Sequence, residues 1–181
     1  MLDAAMLGTL LRSAKRDLFR MEARDSYDVP TDGGDFGRYI HGEPGPDMAR
    51  KAAWHARLAA DRSRGLRRWR VHAFTEPLSP YLRFEFEWGH ALNAALEEIR
   101  VLPLRPDHGL PSLALTDFWL VDDREAVSMH YDQAGRFLGA TVEPPAALAG
   151  YRQARDAAWS AAAPFTKWWR THPQYHRREA A

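Results

Sequence analysis

Thr75-Glu76-Pro77-Leu78-Ser79-Pro80-Tyr81-Leu82-Arg83-Phe84-Glu85-Phe86-Glu87-Trp88 can be read with two periods, and the choice decides the fold. At period two, Leu82, Phe84, Phe86 and Trp88 alternate with polar partners, as in a half-buried strand. At period 3.6, Tyr81, Phe84, Trp88 and Leu92 form a single stripe. Ser79-Pro80 tips the balance. Serine is a good N-cap, and proline at the first helical position gives up an amide that would have no partner there. The stretch therefore predicts a helix from about Pro80 to Glu97, weakened at Gly89. Read as a strand, the same residues would regroup onto opposite faces.

Around that helix the pattern is mixed. Leu7, Leu10, Leu11, Ala14 and Leu18 predict an N-terminal amphipathic helix, followed by a short strand over 18–23. Asp28 to Gly34 reads as a loop, and Phe36 to His41 as a short helix. Asp47 caps a longer helix that Gly65 ends. Leu66 to Phe74 is a strand with Trp69, Val71 and Ala73 on one face. Beyond the central helix come a strand at 99–102 stopped by Pro103, and a Pro- and Gly-rich loop over 105–112. An antiparallel meander follows at 117–121, 126–131 and 136–142, with turns at Asp122-Asp123-Arg124 and Asp132-Gln133-Ala134-Gly135. Leu148, Tyr151, Ala158, Trp159 and Ala162 mark a C-terminal helix broken by Pro164, then a last turn over 165–169. The expectation is one α+β domain over residues 1–171, with a small, mostly antiparallel sheet packed by N- and C-terminal helices, and a tail over 172–181.

The bulk numbers narrow the classes. The 181 residues are 45% hydrophobic and 12% aromatic, enough for a core. A net charge of +1 argues against a surface built throughout for nucleic acid or anionic lipid. The absence of cysteine removes disulfides, thiolate nucleophiles and Cys-based metal sites. Lysine occurs only at positions 15, 51 and 167, an arginine bias that reads as GC-rich genome composition. The N-terminus lacks a signal-peptide plan, and no apolar run approaches the roughly 20 residues of a membrane span, so a cytoplasmic protein is expected.

Several of these stretches together resemble an actinobacterial family, domain of unknown function 6879. They are Leu18-Phe19-Arg20-Met21-Glu22 with Tyr27-Asp28-Val29-Pro30, Glu76 through Glu85, and Glu98-Ile99-Arg100-Val101-Leu102. Further on they are Asp117 through Asp123, Met129-His130-Tyr131-Asp132 and Gly135 through Ala140. The resemblance implies no chemistry. It suggests a regulatory setting beside helix-turn-helix regulators. A weaker likeness, to half of a phospholipase D-like domain, is at the level of fold. Its aspartate corresponds to Asp122, but Leu115 and Asp117 stand where its histidine and lysine belong, so phosphodiester cleavage by that route is not expected.

Four groups of residues are candidates. Glu76, Ser79, Tyr81, Arg83 and Glu85 suit anion binding by Arg83 and acid–base work by a glutamate; the plain alternative is a capped helix with an Arg83–Glu87 pair. Asp117, Asp122, Asp123 and Asp132 with His130 suit a cation or proton transfer, against ordinary turn duty for three of them. Arg62, Arg64, Arg67, Arg68 and Arg70 around Trp69 suit nucleic acid, although alternation sends Arg68 and Arg70 into solvent or onto carboxylates. His172 and His176 have metal-like spacing but flank Pro173. Trp159, Trp168 and Trp169 read as fasteners for the C-terminal helix, with a partner surface as the sharper alternative. The expected ligand-binding set is Glu76, Tyr81, Arg83, Glu85, Asp117, Trp119 and His130, with no catalytic residue assigned and no metal or cofactor expected. The function expected is non-enzymatic regulation or binding, with a small anionic ligand or a helix-turn-helix regulator as partner. The alternatives are an enzyme acting on an anionic or phosphorylated small molecule through Arg83 with Glu85, Glu76 or His130, and nucleic-acid binding through Arg62 to Arg70.

Overall fold

Asp3 accepts the Met6 amide and starts helix α1 (Ala4–Arg12), which leads into strand β1 (Asp17–Glu22). Helices α2 (Asp35–Ile40) and α3 (Met48–Ser63) follow; Asp47 caps α3, and Gly65, at φ +83°, turns the chain into β2 (Arg67–Phe74). Next come α4 (Pro80–Phe84), a π-helical turn (Glu85–His90) and a last helical turn, α5 (Ala91–Asn93). Strands β3 (Glu98–Pro103), β4 (Phe118–Val121), β5 (Glu125–Tyr131) and β6 (Phe137–Val142) are followed by α6 (Leu148–Ala161), β7 (Ala163–Pro164) and α7 (Phe165–Thr171). The computed structural model describes residues 1–29, 34–105, 107 and 109–177. Most of the expected loop over 28–34, parts of the loop over 105–112 and the end of the expected tail lie outside the described residues.

The helix reading of 80–88 holds. The Ser79 hydroxyl accepts the Leu82 amide at 3.1 Å and donates to the Asp25 carbonyl at 2.6 Å. Tyr81, Phe84 and Trp88 are buried as the helical stripe requires. Leu82, Phe86 and His90 are buried too. They form a second stripe at i+4 spacing, so this helix packs on two sides, and that double burial made the sequence look like an alternating strand.

The sheet is mixed, in the order β6-β5-β4-β1-β2-β3-β7. The meander β4-β5-β6 is antiparallel as expected, and β4 pairs antiparallel with β1. In the middle, β1, β2 and β3 run parallel, because each is joined to the next by a helical crossover. One face of the sheet is apolar. Phe19, Met21, Trp69, Val71, Ala73, Phe118 and Leu120 pack there with Tyr151, Ala154 and Ala158 of α6. The opposite face is covered by α1, α3, the π-turn and α7, and it presents Arg20 and Glu22 of β1 beside Arg68, Arg70 and His72 of β2. Trp159 packs edge-on against Trp69 at 4.7 Å, and Trp168 packs edge-on to Phe74 at 5.3 Å, so these tryptophans do fasten the C-terminal helices. The segment expected as a tail begins as packed chain: Tyr175 is buried and stacks on Trp168.

Asp122 and Asp123 both sit at positive φ, 51° and 57°, the pairing of a tight hairpin turn. The Asp122 carboxylate accepts the amides of Lys15, Arg16 and Asp17 at 2.7–3.0 Å, which ties the hairpin to the entry of β1. Its partial burial works against ionisation, but those amides outweigh it and hold the carboxyl below its ordinary range. A depressed carboxyl supports the fold at neutral pH, and that support is lost as pH falls below about 4. Asp122→Asn should therefore cost about 1 kcal/mol at pH 7, little because the site is solvent-screened, and the gap to wild type should narrow steadily as pH falls below about 4 in urea melts. A gap that stays constant with pH contradicts this role.

A buried polar core as candidate functional site

The carboxyl ends of β1 and β2 carry the chemistry. Alternation places Arg20 opposite Arg70 and Glu22 opposite His72 across the parallel pair, all on the same face. The π-turn lies over them and adds Glu85 and His90, the residue before β3 adds Glu97, and the residue before β4 adds Asp117. Arg20, Glu22, Arg70, His72, His90, Glu97 and Asp117 are all buried. Glu85 is half-buried as a residue, but its Oε2 is sealed from solvent.

Buried charge is tolerated only when paired, and here the pairs are explicit. Arg70 donates to both Glu97 oxygens at 2.9 and 3.0 Å and to Glu22 Oε2 at 3.0 Å. Arg20 donates to Asp117 at 2.9 Å and to the Tyr131 hydroxyl at 3.0 Å, and lies over the Trp119 ring at 5.0 Å. The Tyr27 hydroxyl donates to the same Asp117 oxygen at 2.6 Å. Burial opposes the Glu22 carboxylate, but Arg70, His72 and Arg20 hold it well below the usual carboxylate range. Burial raises Glu85, and nearby Glu22 adds to the effect; it is pushed up to about 7, because His72, Arg70 and Arg20 only partly offset both. Burial, with Arg70 and His72 adding to it, drives His90 well below the ordinary histidine range, so His90 is neutral.

The two histidines face each other. His72 Nε2 lies 3.2 Å from the Arg24 carbonyl, which can only accept, so that nitrogen carries a proton. His72 Nδ1 is 3.2 Å from His90 Nε2 and 3.7 Å from Glu22 Oε2. Glu22, His72, Glu85 and His90 each offer one ligand atom, and the four atoms lie within 4.8 Å of one another. Glu85 Oε2, His90 Nδ1 and Arg20 Nη1 are sealed and have no hydrogen-bond partner.

The residues singled out from sequence are divided among several places. Glu85, Asp117 and Trp119 belong to the polar core, and Tyr81 borders it, 6.1 Å from Tyr27 ring to ring. Arg83 lies elsewhere, exposed, in a groove of about 310 Å³ shared with Tyr39, Tyr175, His176 and Arg177. Glu76 accepts the Tyr175 hydroxyl at 3.3 Å. His130 is exposed and its ring bonds Thr141 on the meander, at 2.9 Å. The single cleft expected from Glu76 through Asp117 and His130 is therefore not formed. The arginine run is paired internally: Arg68 and Arg64 with Asp61, Arg67 with Glu98, and Arg62 with the Ala95 carbonyl. His172 stacks on Trp168 at 4.1 Å and His176 bonds the Trp169 carbonyl, so both have packing roles.

Sequence reading missed Arg20, Glu22, His72, His90, Glu97 and Tyr27. The signal was present in Leu18-Phe19-Arg20-Met21-Glu22 and Arg68-Trp69-Arg70-Val71-His72, two strands with polar residues at the same alternate positions. Such rows normally face water. Here helical crossovers cover that face, so the polar rows are enclosed.

The chain belongs to the family described as domain of unknown function (DUF6879), whose sequence model matches residues 5–170. No curated protein matches the chain. No helix among the described residues is long and apolar enough to cross a membrane.

Proposed function

We propose that this member of the family is a binding protein that takes an anionic group, a carboxylate or phosphate, in the Arg83 groove. One observation carries the reading: Arg83 is exposed and its side chain makes no ion pair or hydrogen bond among the described residues. Its expected partner Glu87 instead accepts the Tyr39 hydroxyl at 3.0 Å and the Arg177 amide at 3.3 Å. The Arg83 guanidinium lies 5.6 Å from the centre of the Tyr175 ring, and Arg177 lies over Tyr39 at 4.8 Å. Arginine beside aromatic rings is a composition enriched at binding surfaces, and a guanidinium suits planar anions. An acidic segment of a regulatory partner, such as a helix-turn-helix protein, carries such groups.

The enzymatic alternative has less support, because Arg83 opens to solvent while the Glu85 carboxyl is enclosed in the polar core. Nucleic-acid binding through Arg62 to Arg70 has less still, since those guanidiniums already hold carboxylates or carbonyls.

Titration with inorganic phosphate and with an oligoglutamate peptide, read by tryptophan fluorescence, tests the proposal. Binding should weaken at least about tenfold in Arg83→Ala, the loss of a charge-assisted contact. Arg67→Ala should leave it unchanged, and duplex DNA should not compete. Equal affinity in wild type and Arg83→Ala, or no binding of either probe, overturns the reading.

A further inference from the structure

We infer that Glu22, His72, Glu85 and His90 form a closed site for a divalent transition-metal ion, zinc in the first instance, which clamps the π-turn onto the parallel strands. The inference is independent of the Arg83 groove. The ligand types come first: two imidazoles and two carboxylates are a donor set that first-row divalent ions accept, and the chain has no cysteine to compete. The spacing comes second. Two nitrogens on one tetrahedral zinc, each at about 2.0–2.1 Å, stand about 3.3 Å apart. His72 Nδ1 and His90 Nε2 stand 3.2 Å apart. Glu22 Oε2, 3.7 Å from His72 Nδ1, needs only a small movement to join them.

The surroundings have the character of a metal site's outer shell. A ligating histidine is usually oriented by a hydrogen bond from its other ring nitrogen, and His72 Nε2 makes that bond to the Arg24 carbonyl. Arg70 donates to Glu22 Oε2 itself at 3.0 Å and so fixes the position of that carboxylate. Two further observations point to a ligand within the cluster. Glu85 Oε2 is sealed and unpartnered, which is costly for a carboxyl oxygen unless something sits against it. The carboxyls of this core also outnumber its guanidiniums: Glu22, Glu85, Glu97 and Asp117 lie with Arg20 and Arg70. A divalent cation would offset that excess of carboxyls. A lone water would satisfy Glu85 but would not join the four ligand atoms into one site.

The placement assigns the role. Glu22 and His72 come from adjacent parallel strands, and Glu85 and His90 from the turn packed over them. An ion shared by all four fixes the helix to the sheet. No ligand position is left open to solvent, so the site is structural, and binding is coupled to folding.

The test uses the full-length chain, unfolded and refolded with a chelator, then refolded again with one equivalent of Co²⁺ or Zn²⁺. The expected result is one tightly held ion per chain, the visible absorption of tetrahedral Co²⁺, and a melting midpoint about 5–10 °C above the chelated protein. His90→Gln and Glu85→Gln, with folding checked by circular dichroism, should each lose the Co²⁺ absorption and the midpoint shift. Two variants are used so that failure of one to fold leaves the other as the test. His172→Gln should keep both signals. The proposal is overturned if the refolded wild type binds no ion, or if both folded glutamine variants bind it as wild type does.

Discussion

Arg70→Met should destabilise the protein by about 3–5 kcal/mol, because removing one member of a buried ionic network leaves its partners charged and unpaired. Arg70 is the only cation hydrogen-bonded to Glu97 among the described residues, and it is the closest cation to Glu22. Methionine fills much of the arginine stem's volume, so the loss is electrostatic rather than a cavity. Arg70→Lys should recover only part of it, since an ammonium cannot reproduce the bidentate contact with Glu97 while also reaching Glu22. The double variant Arg70→Met with Glu97→Leu should be more stable than Arg70→Met alone, because it removes one stranded charge. Urea denaturation of the set measures this. A loss below about 1 kcal/mol for Arg70→Met would mean that the pairs are solvated in solution and the core is not enclosed.

Phe86→Ala should cost a similar amount, about 3–5 kcal/mol, by a different route. Phe86 is fully buried in the middle of the π-turn. Its ring meets Phe74 at 5.4 Å, Phe165 at 5.6 Å and Trp168 at 5.9 Å, and stacks on His90 at 5.1 Å. Truncation opens a cavity where β2, α7 and the turn meet. It also removes the surface that orients His90 towards His72. Besides the stability loss, amide hydrogen exchange should quicken selectively over 85–90, the segment that carries two of the four proposed ligands. Phe86→Leu, which keeps most of the volume, should recover more than half of the stability. If Phe86→Ala loses stability without faster exchange over 85–90, the turn is held by something other than this aromatic packing.

These two sites also show what the sequence makes legible. The helix at 80–88 could be read because Ser79-Pro80 is a local start signal that owes nothing to the rest of the fold. The hairpin at Asp122-Asp123 was legible for the same reason, since aspartate tolerates positive φ in a turn. The parallel pairing of β1 with β2 has no local signature, and it alone brings Glu22 beside His72. Glu85 and Asp117 stand out in their sequence neighbourhoods, but for a cleft with Arg83 and His130 that the fold does not make. Strand alternation sends Arg68 and Arg70 into solvent or onto carboxylates. The structure gives them carboxylates, Asp61 for one and Glu97 with Glu22 for the other.

The most direct test of the polar core is anomalous X-ray diffraction at the zinc edge, from crystals of protein purified without chelator and supplied with zinc. The account predicts one anomalous peak between β2 and the π-turn, about 2.0–2.2 Å from His72 Nδ1, from His90 Nε2 and from a carboxylate oxygen of Glu22 or Glu85. Absence of a peak there, with His72 and His90 bonded directly to each other and a water against Glu85, would contradict it.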